Sequence, residues 1–290
     1  MASVCANGLD IGFASLSYAQ VALLGVVQGI TELLPISSTA HMRIVPALLG
    51  WRDPGSAFSA AMQLAALAAV VSYFWSDVKG LIGGSVTAIR QRDYSNYSFR
   101  LAVAIVVATI PICIVGLAMS SLLNACGTPL RSLMVIGISS VVMAVLMGLA
   151  ELRCRHTREV PQMRLRDAII VGLAQVGALI PGISRSGSTL TAALFLNFKR
   201  EEAARFSFLL GLPAIALAGL KELFHLWQAQ IPAEAWSILL FGLLIASLSA
   251  FAAIWGLMRF LERFSMWPFV AYRATVGIAL IIGVTQGFLR

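Results

Sequence analysis

The sequence carries little charge for its length. Only 12% of its 290 residues are Asp, Glu, Lys or Arg, whereas roughly 25% is usual in soluble domains. Hydrophobic residues make up 59%, and the mean hydropathy is +0.87. This composition excludes an ordinary soluble globular protein. The net charge of +8 does not indicate a nucleic-acid partner, because most Lys and Arg lie in short segments between apolar runs.

Cysteine is also scarce. The four cysteines are scattered, and no two form a C-x-x-C pair: Cys5, Cys113, Cys126 and Cys154. Such spacing predicts neither a disulfide framework nor a zinc site, so we interpret them as small packing residues. The first residues contain no basic segment ahead of an apolar core, and we therefore expect no signal peptide.

Long apolar runs, by contrast, are abundant. Six of them, each about 18 residues or longer, can cross a bilayer as helices. They lie at 58–75, 101–123, 132–150, 206–224, 236–258 and 269–289. The predicted fold class is therefore all-α, with one polytopic membrane domain over residues 1–290 and about six full transmembrane helices.

The connections between these runs differ in charge. The predicted loops at 76–100 and 151–167 are strongly basic, whereas the connection at 124–131 contains only Arg131. Positively charged loops stay in the cytoplasm. We therefore expect the two basic loops to be cytoplasmic and the connection between them to lie outside.

The chain contains an internal repeat. When it is shifted by 147 positions, "GVVQGITELLPISS" (25–38) aligns with "GLAQVGALIPGISRS" (172–186). Each copy is followed by three spans, an odd number, so the half 151–290 should be inverted relative to the half 1–150. Pro- or Gly-broken segments at matching places of an inverted repeat indicate a binding site near the bilayer midplane. We therefore predict two re-entrant helix–loop–helix elements that meet in the centre.

Both copies have the composition of an anion site. Pro35 should end a helix, and the Ser-Ser-Thr run at 37–39 suits a new helix start, whose free amides and positive end bind anions. In the second copy Gly182 and Gly187 permit close backbone approach. Arg185 adds a planar fork of donors that matches phosphate oxygens. Together these features predict a cradle for phosphate.

Three side chains of the first copy add reactivity. Ser38 and His41 are three residues apart and share a helix face, so His41 can take a proton from Ser38 or give one to a leaving group. Glu32 can orient His41, act as a base, or hold a divalent cation against phosphate oxygens. Charged groups cost about 2.5–3.5 kcal/mol each within a bilayer, which favours a functional role for this group.

Other polar residues are interpreted differently. His156 and His225 are predicted to be packing residues, and Arg273, near a span end, is predicted to snorkel to the interface. Arg43 is either a loop charge or a snorkelling one. Gln63 either joins helices or lines the site.

These segments resemble the undecaprenyl-diphosphatase family, the bacitracin-resistance phosphatases of bacterial membranes. The resemblance spans nearly the whole chain and rests on "GVVQGITELLPISSTAH" (25–41), "MQLAALAAV" (62–70), "PGISRSGSTL" (181–190), "ARFSFLLGLP" (204–213) and "FVAYR" (269–273). It implies a multi-pass hydrolase of the bacterial cytoplasmic membrane that converts undecaprenyl (polyprenyl) diphosphate to the monophosphate and inorganic phosphate. It also implies recycling of the lipid carrier for peptidoglycan, and a site that opens to the outer, periplasmic face.

The resemblance also implies roles for individual residues. The catalytic ones are Glu32, Ser38, His41 and Arg185. The phosphate-binding ones, with the neighbours that complete the two helix starts, are Ser37, Thr39, Ser184, Ser186, Gly187 and Thr189. The family's acidic pair falls on Gln28 and Glu32, so a divalent cation, Mg²⁺ or Ca²⁺, would rest on Glu32 and the diphosphate, with Gln28 as a weak ligand. Ala40 replaces a common Gly, which should stiffen that helix start slightly.

Alternatives remain open at this stage. The nucleophile can be Ser38, His41 or an activated water. An inverted-repeat transporter or lipid flippase for an anionic substrate would share the broken helices and the central arginine, although it needs no nucleophile beside a base. The expected partners are the polyprenyl diphosphate and membrane lipids, and a homo-oligomer is compatible with the sequence.

Overall fold

The structure, a computed structural model of the chain, describes residues 5–6, 9–124 and 128–289. Two short strands, β1 (Cys5–Ala6) and β2 (Leu9–Asp10), pair antiparallel. The helices of the described residues are α1 (Tyr18–Leu33), α2 (Ser38–Leu49), α3 (Ser56–Tyr73), α4 (Trp75–Gln91), α5 (Tyr97–Ala118), α6 (Ser120–Asn124), α7 (Leu133–Arg153), α8 (Leu165–Val176), α9 (Arg185–Phe195), α10 (Arg200–Gln228), α11 (Ala233–Arg263) and α12 (Trp267–Thr285). Cys126 and the side chain of Cys5 lie outside the described residues, and Cys113 and Cys154 carry free thiols.

Six described helices are long and apolar enough to cross a membrane, namely α3, α5, α7, α10, α11 and α12. They correspond to the six apolar runs, and they confirm the prediction of an all-α polytopic membrane protein. Their bounds differ from the predicted ones by up to six residues. α11 has 31 residues, about 46 Å of helix, which exceeds the roughly 30 Å of a hydrocarbon core.

The prediction of a loop at 76–100 is wrong over most of its length, because α4 occupies residues up to Gln91. Its large exposed hydrophobic side chains include Trp75, Ile82 and Ile89, which recur every seven residues on one helix face. A helix with an apolar face and several charges is typical of the membrane interface rather than of a span. Hydropathy averaged over a window does not detect such a helix.

Two pairs of helices, α1 with α2 and α8 with α9, are broken by proline. Pro35 and Pro181 have no amide proton and would clash with a preceding helical turn, which favours the end of a helix at each of them. The residue before each proline is extended, with ψ of 145° at Leu34 and 118° at Ile180, as proline requires of its predecessor. These two breaks are the re-entrant loops predicted from the repeat.

The helices of the two halves pack across one another. α1 packs along α11, α8 along α5, α3 against α10 and α7 against α12. At two of these contacts a glycine lets backbones approach: a Cβ on Gly29 would stand 2.4 Å from the Ala246 carbonyl oxygen, and one on Gly172 would stand 2.4 Å from that of Ala108. This reciprocal packing is what an inverted repeat requires. The division into repeats at 1–150 and 151–290 stays a prediction.

Candidate active site

Glu32 lies at the centre of a buried group of polar side chains. Its Oε2 accepts hydrogen bonds from Ser38 Oγ and from Gln28 Nε2, the latter at 3.0 Å. Its Oε1 accepts one from Arg185 Nη2 at 2.9 Å. Glu32 and Ser38 are both buried, and hydrogen bonds shielded from water are electrostatically stronger. The two broken helices thus bring one carboxylate, one hydroxyl and one guanidinium together.

The break at Pro35 is what brings Ser38 to Glu32. Gln28 and Glu32 are one turn apart on α1 and therefore face the same way. Ser38 begins α2, six positions after Glu32. In an uninterrupted helix, a spacing of six would place the two side chains on different faces. The turn between α1 and α2 instead returns the hydroxyl to the carboxylate.

His41 contacts the Ser37 carbonyl and the Tyr272 hydroxyl rather than Glu32 or Ser38. Its Nδ1 lies 2.7 Å from the Ser37 carbonyl oxygen, and its Nε2 lies 2.6 Å from the Tyr272 hydroxyl. A carbonyl only accepts, so Nδ1 carries the proton and, in the neutral ring, Nε2 accepts from Tyr272. The two rings are stacked, with centroids 5.7 Å apart. Among the hydrogen bonds of the described residues, none joins His41 to Ser38 or to Glu32, so the shared helix face does not create the predicted serine–histidine contact.

Arg185 connects three helices. It begins α9, donates from Nη2 to Glu32 on α1, and donates from Nη1 to the Gly211 carbonyl on α10 at 2.9 Å. Gly211 makes room for it, since a Cβ there would stand 2.3 Å from Nη1. The pair formed by Arg185 and Glu32 is largely buried. Removing one partner of such a pair costs about 3–5 kcal/mol, because the other charge is left uncompensated.

Both helix restarts use a serine in an unusual backbone conformation. Ser37 and Ser184 have φ of +75°, which is uncommon for residues other than glycine. Each hydroxyl accepts from an amide three residues on and lies 3.2 Å from a second hydroxyl, that of Thr39 or Ser186 respectively. Such strain costs about 1–3 kcal/mol per residue and clusters at functional sites. Its occurrence at equivalent positions of the repeat favours one shared role.

Arg273 of α12 ties the two breaks together. Its Nη1 donates to the Pro35 carbonyl at 2.9 Å, and its Nη2 donates to those of Gly182 at 2.5 Å and Ile183 at 3.1 Å. The prediction that Arg273 snorkels is wrong, since the residue is only 1% exposed. Helix ends leave carbonyls without amide partners, and Arg273 satisfies those carbonyls within the protein.

A cavity of about 170 Å³ lies over these groups. Its polar lining comes from Glu32, Ser37, Ser38, Thr39, Gln63, Ser184 and Arg185. Its apolar lining comes from α5, from the turn after α8 and from α10, and includes Ile112, Leu179 and Ile215. Gln63 therefore lines the site. A cavity with one polar end and one apolar wall suits a charged headgroup attached to a hydrocarbon tail.

Four residues predicted to act in catalysis or phosphate binding are not among those that line this cavity: His41, Ser186, Gly187 and Thr189. Gln28, the predicted weak metal ligand, does not line it either. Ser186 Oγ donates to the Leu34 carbonyl at 3.2 Å, and Thr189 Oγ1 shares a hydrogen bond of 2.5 Å with Ser207. These contacts fix α9 against α1 and α10. Roles for these four residues in phosphate binding or catalysis stay predictions.

A cation would find few ligands in the protein alone. The described residues contain no group of three or more His, Cys, Asp or Glu that could hold a metal ion. The carboxylate of Glu32 already accepts from three donors. Gln28 Oε1, however, is buried without a hydrogen-bond partner and belongs to the side chain that contacts Glu32. Oxygen donors of this kind suit Mg²⁺ or Ca²⁺, so Glu32 and Gln28 fit a cation that brings further ligands from the substrate.

Three residues interpreted as structural or as loop charges form ordinary contacts outside the site. Arg43 pairs with an aspartate at 3.4 Å, and His225 lies 3.8 Å from a glutamate one turn away. His156 Nδ1 lies 3.2 Å from Cys154 Sγ. Burial, and then the positive charge of Arg200, lower the pKa of His156 below its ordinary value. His156 is therefore neutral at pH 7, as a packing histidine should be.

Two contacts of the site are missed by reasoning from the sequence, namely Tyr272 on His41 and Gly211 on Arg185. Neither residue type signals catalysis by itself. A signal was nevertheless present, because both lie in segments that carry the family resemblance, "FVAYR" and "ARFSFLLGLP".

Comparison with known proteins agrees with these observations. The model of the family described as bacitracin resistance protein BacA matches residues 21–279. Undecaprenyl-diphosphatase 2 of Mesorhizobium japonicum is 67% identical over 263 residues, which are 91% of this chain and 100% of the relative. The undecaprenyl-diphosphatase of Trichormus variabilis is 45% identical over 99% of this chain and 90% of its own length, and that of Gloeobacter violaceus is 49% identical over 90% of both chains. The chain therefore belongs to the bacitracin resistance protein BacA family.

Proposed function

We propose that this protein is a membrane phosphatase that hydrolyses undecaprenyl diphosphate, or another polyprenyl diphosphate, to the monophosphate and inorganic phosphate. The observation that carries the proposal is the hydrogen-bonded group of Ser38, Glu32 and Arg185 at the polar end of a cavity with an apolar wall. Phosphoryl transfer needs a nucleophile, a group that takes its proton and a cation for the phosphoryl oxygens. The names of the relatives support the same reaction.

Ser38 is the proposed nucleophile. Its Oγ attacks the terminal phosphorus, and its proton passes to Glu32 Oε2, to which it is already hydrogen-bonded. The bond from that phosphorus to the bridging oxygen breaks, polyprenyl monophosphate leaves, and a phosphoserine remains. Water then attacks the phosphoserine. Glu32 returns the proton to Ser38 Oγ, phosphate leaves with one proton of the water, and the other proton is released.

Arg185 and the amides at the starts of α2 and α9 hold the phosphoryl oxygens. A guanidinium has five N–H donors, and among the described residues the guanidinium of Arg185 donates to two acceptors, Gly211 and Glu32. Arg185 can thus bind phosphate without leaving Glu32. Fixed donors aimed at the charge that develops in the transition state are the largest contribution that a protein makes to such a reaction. The polyprenyl tail follows the apolar wall formed by α5 and α10 into the bilayer.

A divalent cation, Mg²⁺ or Ca²⁺, completes the proposal. Glu32 and, more weakly, Gln28 would hold it together with oxygens of the diphosphate. When bound, it supplies charge neutralisation on the phosphoryl group. The protein residues bind it too sparsely to form a site without substrate, so we expect the cation to enter with the diphosphate.

The proposed location is the bacterial cytoplasmic membrane, with the site open to the outer, periplasmic face. The two segments rich in Lys and Arg, at 76–100 and 151–167, support the assignment of those ends to the cytoplasm. In this membrane the reaction returns the lipid carrier to the pool used for peptidoglycan and other envelope polymers.

The test is phosphate release from undecaprenyl diphosphate by the purified protein in detergent, with and without a chelator. We expect turnover by the wild type, a loss of about 10⁴-fold or more in Ser38→Ala, and reduced wild-type activity after chelation. Thr31→Val is the matched control, since Thr31 is buried on α1 next to Glu32 but bonds only to the Val27 carbonyl.

Each alternative gives a different result. A transporter or flippase releases no phosphate in detergent, where no gradient exists. Near-normal turnover by Ser38→Ala would assign nucleophilic attack to His41 or to water. If the chelator leaves the activity unchanged, the reaction needs no divalent cation and that part of the proposal is wrong.

A further inference from the structure

A second cavity lies away from the active site, at the start of α8. Its volume is about 590 Å³, and its lining includes Arg158, Arg164, Arg166, Asp167 and Ile170. It shares no lining residue with the cavity over Glu32. Three arginines against one aspartate make its wall strongly basic.

Arg158 is committed to holding the wall together. Its Nη1 donates to Asp167 Oδ1 at 3.3 Å and to the Leu196 carbonyl at 3.0 Å, and its Nη2 donates to Asp167 Oδ2. Its guanidinium also lies 4.4 Å from the centre of the Phe198 ring. Asp167 therefore neutralises Arg158, and this pair contributes shape rather than charge.

Arg164 and Arg166 provide the remaining charge. Both are exposed, and within the described part of the chain neither forms an ion pair within 4.0 Å. An anion bound in this cavity would be attracted by both guanidinium groups of the wall. Planar guanidinium groups suit phosphate in particular.

The surroundings of the cavity are apolar and face outward. Ile169, Ile170 and Leu173 are exposed on α8, and their spacing of three, four and seven residues from Arg166 puts all four on one helix face. In a membrane protein, exposed side chains of this kind contact lipid tails. Arg166 continues that lipid-facing stripe by one turn, at the depth where basic side chains reach the headgroups.

We propose that this cavity binds the phosphodiester headgroup of an anionic phospholipid through Arg164 and Arg166, while the acyl chains lie along Ile169, Ile170 and Leu173. Basic pockets at the membrane surface bind anionic headgroups in this way. The proposal is independent of the reaction at Glu32, because it uses another cavity and other residues.

The test is retention of phosphatidylglycerol by the full chain, measured by native mass spectrometry after reconstitution with phosphatidylcholine alone or with one tenth phosphatidylglycerol. We expect the wild type to retain phosphatidylglycerol in preference to phosphatidylcholine. The double variant Arg164→Gln/Arg166→Gln should bind it about 30-fold more weakly. Arg259→Gln/Arg263→Gln is the charge-matched control, since both arginines are exposed near the end of α11.

Phosphate release by the double variant in detergent checks that it is folded. If it is not, Arg164→Lys/Arg166→Lys, which keeps both charges, should retain phosphatidylglycerol more strongly than either single Gln variant. Equal retention of the two lipids by the wild type would overturn the proposal, as would unchanged retention by the double variant. Displacement of phosphatidylglycerol by millimolar inorganic phosphate would reassign the cavity to free phosphate and would also overturn it.

Discussion

The two broken-helix elements share several backbone features but differ in chemistry. Each has a proline that ends a helix, a capping serine at φ +75° and a pair of hydroxyls 3.2 Å apart. At equivalent positions of the repeat, however, the residues differ: Ser38 of the first element corresponds to Arg185 of the second, and Glu32 corresponds to Leu179. The first element carries the proposed reactive groups, Glu32 and Ser38, and the second carries the positively charged guanidinium of Arg185. In the proposed mechanism, these few side-chain differences give the two elements of one repeat different roles in the reaction.

Arg273 joins the two elements through hydrogen bonds to both of their turns, and we call these contacts the joint. Arg273 contacts Pro35 and Gly182, which are also equivalent positions, from a single helix. One side chain therefore fixes the distance between two copies of the same turn. The account separates three tasks that variants can test one at a time: reaction, binding and alignment.

After Ser38→Ala, the next largest effect is expected when the second element loses its guanidinium. Arg185→Lys keeps the charge, but an ammonium is a single point and cannot hold Glu32, the Gly211 carbonyl and a phosphate in fixed directions. We expect kcat/KM for phosphate release to fall by about 10²–10³-fold. Arg205→Lys, on the same helix as Gly211 but outside the cavity lining, is the control. An Arg185→Lys enzyme with wild-type kinetics would show that the second element does not bind the phosphoryl group.

Arg273→Lys tests the joint. A lysine cannot bridge the Pro35 and Gly182 carbonyls at once, and unsatisfied carbonyls remain buried. We expect the free energy of unfolding to fall by about 2–3 kcal/mol, measured as a lower Tm of the detergent-solubilised protein. Arg259→Lys, at the surface, should leave Tm within experimental error. If both variants behave alike, the two elements are aligned by helix packing and not by Arg273.

Gly211→Ala tests how closely Arg185 must be placed. The new Cβ would stand 2.3 Å from Arg185 Nη1, so the flexible guanidinium has to move while the helices stay. We expect about tenfold lower kcat/KM, equivalent to about 1.4 kcal/mol, with almost no change in Tm. Gly256→Ala in α11 is matched to it, since a Cβ there meets no atom within 4 Å. A fall in Tm without a loss of activity would contradict the placement of Arg185.

The smallest effect is expected from Tyr272→Phe, which removes the hydroxyl on His41 Nε2 and keeps the ring contact. If His41 acts through Nε2, its freed nitrogen changes the pH profile of kcat and lowers kcat about three- to tenfold. If His41 only packs, the profile stays where it is. Tyr18→Phe, which loses a hydroxyl contact to Ser237 elsewhere, shows the effect of removing such a bond outside the site.

Sequence reasoning recovered the parts of this structure that depend on local chemistry. Six spans follow from hydropathy, and both helix breaks follow from Pro35 and Pro181. α4 escaped detection because its apolar face is diluted by charges within any window. Arg273 was misread because an arginine near a span end can turn to the interface or to a buried carbonyl, and only the fold decides between them.

Contacts between residues on different helices cannot be predicted from their spacing in the sequence. Ser38 and His41 have helical spacing, yet the structure bonds Ser38 to Glu32, six positions away, and bonds His41 to Tyr272 on the last helix. Both residues lie in the continuous helix α2, so their spacing permits a contact, but Glu32 of α1 and Tyr272 of α12 bind the two side chains instead. The turn at Pro35 therefore decides which partner the serine has, and the sequence around it does not reveal that turn's direction.

In the proposed mechanism, the two broken helices together hold one diphosphate between Ser38 and Arg185. The most direct measurement is an experimental structure of the protein with a polyprenyl diphosphate analogue in which a methylene group replaces the bridging oxygen. The account predicts a terminal phosphorus about 3–3.5 Å from Ser38 Oγ and phosphoryl oxygens hydrogen-bonded to Arg185. A diphosphate bound to only one of the two elements, or one whose phosphorus is out of reach of Ser38, would contradict it.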